Sequence, residues 1–171
     1  MSKSLLVQLV DLERRNIQVV TIDIKDKCIE RISPSDADPS NLPFLLPGFI
    51  DAHIHIESSM LCPAAFAHEA VKHGTIGTVS DPHEIANVLG MEGVSFMLEN
   101  AAQVPFYFHF GAPSCVPATS FETAGAELDV AAVKLLLQND AIGYLSEMMN
   151  YPGVLQQEAT VMEKMAAAHA L

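Results

Sequence analysis

Residues 46–60 read Leu-Pro-Gly-Phe-Ile-Asp-Ala-His-Ile-His-Ile-Glu-Ser-Ser-Met. The apolar residues of this stretch predict a buried strand that starts after Pro47 and Gly48. Side chains two positions apart in a strand point to the same face, so His53 and His55 can direct their imidazoles to one point. That point is either a metal site or a pair of histidines that only hydrogen-bond, because two ligands alone rarely form a site.

The pattern of the chain changes close to this stretch. Residues 4–33 alternate apolar and polar positions and predict antiparallel strands, and residues 33–43 read as a proline-containing loop. From residue 45 onward, strand and helix patterns alternate four times, which predicts parallel strands joined by crossover helices. Pro63 is predicted in the first turn of the first of these helices, and Asp129 as the cap of a later one. The pattern places the third strand at 104–110, one helical face through Leu89 and Val94, and a last helix that carries Leu155, Met162 and Met165. The predicted fold class is α/β, with an N-terminal β segment at 1–44 and a partial (β/α) barrel at 45–171.

The predicted barrel is about half of a complete one. A (β/α)8 barrel has eight βα units in about 250 residues, so four units at 45–171 correspond to its first half. The chain also stops inside or just after a predicted helix without a terminating signal. We therefore expect a truncated barrel whose unpaired strand edges favour self-association, as in a homo-oligomer.

Charge and cysteine content limit the partners and the compartment. Nine Lys and Arg residues stand against 21 Asp and Glu residues, and the net charge of −12 has the wrong sign for binding nucleic acid. Three cysteines without Cys-x-x-Cys spacing predict free thiols in a reducing compartment. The N-terminus lacks the pattern of a signal peptide or a membrane span, so we expect a cytoplasmic protein without a membrane partner.

Polar residues follow three of the four predicted parallel strands. His53 and His55 follow the first strand, Asp81, His83 and Glu84 follow the second, and Glu147 follows the fourth. In barrels of this kind the active site lies at the carboxyl ends of the strands. Mixtures of imidazole and carboxylate suit Mn²⁺, Fe²⁺ or Zn²⁺ in open hydrolytic sites.

Four blocks of sequence carry a resemblance to a known family. They are His-Ile-His-Ile-Glu-Ser-Ser-Met at 53–60, Ser-Asp-Pro-His-Glu-Ile-Ala-Asn-Val-Leu-Gly at 80–90, Ser-Cys-Val-Pro-Ala-Thr at 114–119 and Ser-Glu-Met-Met-Asn-Tyr-Pro-Gly-Val at 146–154. Their order and spacing resemble the adenine deaminase family of the amidohydrolase superfamily. The N-terminal strands are similar to the first part of the small β-sandwich that these enzymes complete with C-terminal residues.

The resemblance implies roles for individual residues. His53 and His55 would bind one metal, and Glu147 would bridge two. Asp81 and Glu84 would act as catalytic residues around the nucleophilic water and the purine. Apart from the resemblance, Asp81 reads as a turn residue before proline and Glu84 as an acidic residue favourable to a helix N-terminus. His83 would lie behind the ligands or be solvated, and no substrate-binding residue is assigned.

The resemblance also implies the reaction. Adenine and water would give hypoxanthine and ammonia through a metal-activated hydroxide at a binuclear centre of Mn²⁺ or Fe²⁺, with Zn²⁺ as an alternative. Such a reaction belongs to purine salvage, with a small-molecule purine as the partner. The later histidines and the aspartate of the family would lie beyond residue 171, so we expect the isolated chain to be inactive. The rival hypotheses are another amidohydrolase acting on a cyclic amide or amidine, and a catalytically inert fragment or interaction module.

Overall fold

Two sheets of different kinds make up the structure, a computed structural model that describes residues 2–119 and 121–170. The chain divides into two compact units, Met1–Gly48 and Phe49–Leu171. The family-like blocks of sequence all lie in the second unit.

The first unit is a four-stranded sheet with the order β3-β2-β1-β4. Its strands are β1 (Ser2–Asp11), β2 (Asn16–Lys25), β3 (Cys28–Pro34) and β4 (Phe44–Leu45). The antiparallel pairing of β1, β2 and β3 confirms the prediction for residues 4–33, whereas β4 runs parallel to β1. Val7, Val20 and Ile22 form its buried cluster.

The second unit contains a parallel sheet with the order β5-β6-β7-β8. Its strands are β5 (Phe49–Ile54), β6 (Thr75–Ser80), β7 (Tyr107–Ala112) and β8 (Ile142–Leu145). All three neighbouring pairs are parallel, which confirms the predicted α/β fold. Within the described residues the sheet does not close on itself, so it is a partial barrel.

Helices connect the parallel strands and continue after the last of them. They are α1 (Pro63–Ala70), α2 (His83–Leu89), α3 (Met91–Ala101), α4 (Val130–Leu137), α5 (Tyr151–Leu155) and α6 (Ala159–His169). Pro63 begins α1 as predicted, because its missing N–H costs nothing in a first turn. The predicted cap of α4 is confirmed, since the Asp129 side chain accepts a hydrogen bond from the Ala132 N–H at 2.8 Å.

The core of this unit lies between the helices and one face of the sheet. Phe110 of β7, Met97 of α3 and Leu136 of α4 are among its buried residues. Alternate residues of β7 point away from this core, and Tyr107 and His109 are exposed. We call the face of β5–β8 that carries Tyr107 and His109 the open face.

Two predictions for the elements before the fourth parallel strand were wrong. The third parallel strand begins at Tyr107 and not at Val104, because Pro105 offers no N–H to a ladder and Tyr107 is the first residue paired with β6. One predicted helix carrying Leu89 and Val94 is two helices, α2 and α3, because Gly90 adopts a positive φ of 61° between them.

The last predicted helix, which was to carry Leu155, Met162 and Met165, is also divided. Leu155 ends α5, and Gln157 takes a positive φ of 55° before α6 begins. As a result, Leu155 is exposed rather than part of the core. Among the described residues, no helix combines the length and the apolar character needed to cross a membrane.

Two neighbouring leucines of α4 test this packing. Leu136 is 3% exposed and Leu135 is 60% exposed on the same helix. Leu136→Ala should lower the free energy of unfolding by about 2–5 kcal/mol, because it leaves a cavity in the core. The matched control, Leu135→Ala, should change it by less than about 0.5 kcal/mol. Urea unfolding of the two variants would measure both values, and an equal loss in both would contradict the assigned face of α4.

Candidate metal centre

Two histidines at the end of β5 face the same point. Ile54 lies between them and packs towards the helix side of the sheet, so His53 and His55 turn to the open face. Their Nε2 atoms are 3.2 Å apart, and their rings meet edge to face with centroids 5.1 Å apart. The predicted strand geometry therefore brings the two imidazoles together.

Glu147 joins the two histidines from the loop after β8. Its Oε1 atom lies 3.3 Å from His53 Nε2 and 3.2 Å from His55 Nε2. We call these three atoms the ligand triangle. With sides of 3.2, 3.3 and 3.2 Å, the in-plane point equidistant from the three atoms is about 1.9 Å from each, and points slightly out of that plane are about 2.1 Å from all three. The latter is the distance at which imidazole nitrogen and carboxylate oxygen bind divalent transition metals.

The second nitrogen of His55 supports this arrangement. Its Nδ1 atom is 2.9 Å from the backbone carbonyl oxygen of Asp81. A carbonyl only accepts, so Nδ1 carries the proton and donates it to this hydrogen bond. In the neutral ring the Nε2 lone pair then faces Glu147, and metal-binding histidines are commonly fixed in this way.

Asp81 and His83 form a second pair beside the triangle. Asp81 is 5% exposed, and its Oδ2 atom lies 2.8 Å from His83 Nδ1. This hydrogen bond raises the pKa of His83 against the opposing effect of burial. His55, Asp81, His83 and Glu147 each offer a ligand atom within 4.8 Å of the others.

The donor set of this cluster fits a divalent cation. Asp81 Oδ1 is buried and has no hydrogen-bond partner within residues 2–119 and 121–170. A buried carboxylate oxygen without a partner is costly, so a cation there is favourable. Two carboxylates and two imidazoles within 4.8 Å of one another, with His53 beside His55 and Glu147, match the ligands of Mn²⁺, Fe²⁺ and Zn²⁺.

Glu84 lies apart from this cluster. It occupies the first turn of α2, where a negative charge is favourable to the helix dipole, and its side chain is exposed. The described structure therefore does not bring Glu84 among the ligand atoms. Its catalytic role stays a prediction.

Glu57 was missed by the reasoning from sequence. Its Oε1 atom accepts a hydrogen bond from the Ile85 N–H at 3.1 Å, and its Oε2 atom is buried without a partner among the described residues. Burial raises the pKa of Glu57, and the nearby charge of Glu84 raises it further. Its position two residues after His55 was the available signal, since the strand ends there and the chain turns back towards the site.

Tyr144 of β8 was also missed. Its hydroxyl donates a hydrogen bond to the backbone carbonyl of Ser80 at 3.0 Å, and its ring stacks on His109 with centroids 5.2 Å apart. Burial, with the nearby Asp81 charge, raises the pKa of Tyr144 to about 12, so its hydroxyl stays protonated near neutral pH. Gly143, which precedes Tyr144, was the available signal in the sequence, because a residue without a side chain there leaves room for the His109 ring.

The cluster occupies the carboxyl ends of three parallel strands. His53 and His55 close β5, Asp81 and His83 follow β6, and Glu147 follows β8. This is the end of the sheet at which (β/α) barrels place their active sites.

A model of the amidohydrolase family matches residues 44–171. Curated relatives named adenine deaminase include that of Salinibacter ruber, 56% identical over 98% of this chain and 30% of its own length. The adenine deaminase of Parabacteroides distasonis is 52% identical over 98% of this chain and 31% of its own length. The adenine deaminase of Sulfurovum sp. (strain NBC37-1) is 52% identical over 95% of this chain and 30% of its own length. The chain thus spans about 30% of the length of these relatives, and it belongs to the amidohydrolase family.

Proposed function

We propose that this chain supplies part of the active site of an adenine deaminase, which converts adenine and water to hypoxanthine and ammonia. The observation that supports this most is the ligand triangle, in a chain about half identical to proteins named adenine deaminase. The spacing of its atoms suits a bound cation, and the identity extends across the strands that hold them.

The metal ligands in this proposal are His53, His55 and Glu147. The cation is Mn²⁺ or Fe²⁺, with Zn²⁺ as the alternative, and the centre of the whole enzyme is binuclear. When bound, a divalent cation supplies Lewis-acid activation of water at neutral pH. Because His55 donates its Nδ1 proton to the Asp81 carbonyl, its Nε2 lone pair stays available for the cation.

Asp81, His83 and Glu84 have proton-handling roles in the proposal. Asp81 Oδ1 is buried without a hydrogen-bond partner among the described residues, while Oδ2 lies 2.8 Å from His83 Nδ1. The Asp81 hydrogen bond raises the pKa of His83, which favours its protonated form. Glu84 occupies the first turn of α2, one residue after His83, and its proposed role towards the purine rests on the family resemblance.

The rest of the active site lies outside these 171 residues in our proposal. The chain spans about 30% of the relatives' length, and a binuclear centre needs more ligands than the triangle and Asp81 provide. We therefore propose that this chain alone does not deaminate adenine. The free thiols of Cys28, Cys62 and Cys115 fit a reducing compartment, which supports the cytoplasm as its location in purine salvage.

Self-association is part of the same proposal. The open face carries exposed apolar side chains at Ile50 and Tyr107, and β5 and β8 are the outer strands of the sheet. Proteins normally cover such faces and edges. A homo-oligomer would bury them.

Metal binding is tested with paired histidine variants. The His53→Ala, His55→Ala double variant should weaken Co²⁺ or Mn²⁺ binding by more than about tenfold, because it removes two corners of the ligand triangle. The matched control is His68→Ala, His73→Ala, two exposed histidines outside the cluster. Isothermal titration of the three proteins measures the difference, and equal affinities would rule out the triangle as the site.

Activity is tested by ammonia release from adenine. The 171-residue chain should give none, and a polypeptide that continues through the remaining barrel strands, loaded with Mn²⁺ or Fe²⁺, should give steady turnover. In that longer protein Glu147→Gln should be severely impaired, and Asp81→Asn should lose roughly 10²–10⁴-fold in kcat if Asp81 moves a proton.

Two results of this assay would contradict the proposal. Robust turnover by the short chain would remove the argument that the site is divided. A metal-loaded long protein that leaves adenine intact but opens a cyclic amide would favour the other amidohydrolase hypothesis, and one inert towards both would favour an interaction module.

A further inference from the structure

A hydrogen bond joins the loops that follow β7 and β8, beside the ligand triangle. The Ser114 hydroxyl donates a short hydrogen bond to the backbone carbonyl of Glu147. Ser114 is 1% exposed, so water does not compete for this bond. The backbone of Glu147 is thereby attached to the loop that follows β7.

The carboxylate of Glu147 has little else to hold it. Within residues 2–119 and 121–170, its recorded contacts are those with His53 and His55. The backbone bond that ties the start of its loop to the sheet runs from the Ser146 N–H to the Ala112 carbonyl at 2.9 Å. The position of the carboxylate therefore depends on where the backbone of residue 147 is fixed.

Lys164 of α6 holds the other side of Ser114. Its ammonium donates to the backbone carbonyl of Ser114 at 2.9 Å and to that of Leu128 at 2.8 Å. Burial lowers the pKa of Lys164, while the nearby Cys115, Asp129 and Glu127 act in the opposite direction. Hydrogen bonds from a charged donor are stronger than neutral ones, so this half-buried lysine fixes the Ser114 segment firmly.

The helix that carries Lys164 is itself anchored. Val161 of α6 is 5% exposed, and Ala167 and Ala168 pack against the main core cluster. Lys164 thus connects a fixed helix to Ser114, and Ser114 connects to Glu147.

We propose that Lys164 and Ser114 are positioning residues that act in series to hold Glu147 at the metal centre. The inference rests on the proposed function, because the placement of Glu147 matters if Glu147 is a metal ligand. A purely structural role would predict a loss of stability without a specific effect on the metal. Outer partners of metal ligands typically contribute 10–100-fold in affinity, which sets the expected size of the effect.

The test compares Co²⁺ affinity in single and double variants of the 171-residue chain. Lys164→Met keeps the aliphatic stem and removes the two charged hydrogen bonds, and Ser114→Ala removes the hydroxyl. Each should weaken Co²⁺ binding by roughly tenfold. The double variant should have a Co²⁺ affinity at most about twofold below that of the single variant with the lower affinity, because the effects of residues that act in series are not additive.

Lys134→Met is the matched control. Lys134 of α4 is exposed, so its replacement removes the same charge without touching Ser114. Its Co²⁺ affinity should equal that of the unsubstituted chain. Amide hydrogen exchange should become faster at residues 146–150 in Lys164→Met and Ser114→Ala, with α3 unchanged, and a thermal melt should confirm that both variants remain folded. If Lys164→Met fails to fold, Ser114→Ala decides alone.

The outcomes separate this inference from the proposed function. Tenfold weaker binding, local exchange at 146–150 and a non-additive double variant support it. Unchanged Co²⁺ affinity in Ser114→Ala, or fully additive effects in the double variant, would overturn it while the metal centre stands. Absence of Co²⁺ binding by the unsubstituted chain would overturn both.

Discussion

Curvature of the parallel sheet is the constraint on which the candidate site depends. His53 and His55 close β5 and Glu147 follows β8, and these strands are opposite edges of the sheet. Strands lie about 4.8 Å apart, so two edges separated by three spacings would be about 14 Å apart in a flat sheet. Side-chain contacts of 3.2 and 3.3 Å between them require the sheet to curl towards its open face. Register shifts between Asp51 and Ile54 and between Phe110 and Gly111 mark where the ladder departs from regularity.

The same curvature concentrates acidic groups around three imidazoles. Asp81, Glu147 and Glu57 lie at this end of the sheet, and carboxylates so close together favour a bound cation. Burial raises the pKa of Glu57, and the Asp81 hydrogen bond raises the pKa of His83, so both groups favour their protonated forms. A cation bound here would compete with those protons, so its affinity would rise with pH.

The sequence was most informative where local periodicity and one short motif agreed. The four parallel strands and the placement of His53, His55 and Glu147 together followed from alternation and from residues placed at strand ends. The breaks at Gly90 and Gln157 were missed because hydrophobic spacing continues across them, and only backbone conformation shows them. Glu57 and Tyr144 were missed because their importance comes from burial and from contacts with distant residues, which spacing alone does not contain.

Glycines along the open face have a consequence for the shape of the surface. A methyl group on Gly111 would come within 2.6 Å of the Tyr144 ring, and one on Gly143 would overlap the His109 ring. These two rings therefore lie flat across the sheet, over backbone that carries no side chain. The rings can lie this close to the sheet because Gly111 and Gly143 have no Cβ atom. Even an alanine at either position would push an aromatic ring away from the sheet and into the space above the open face.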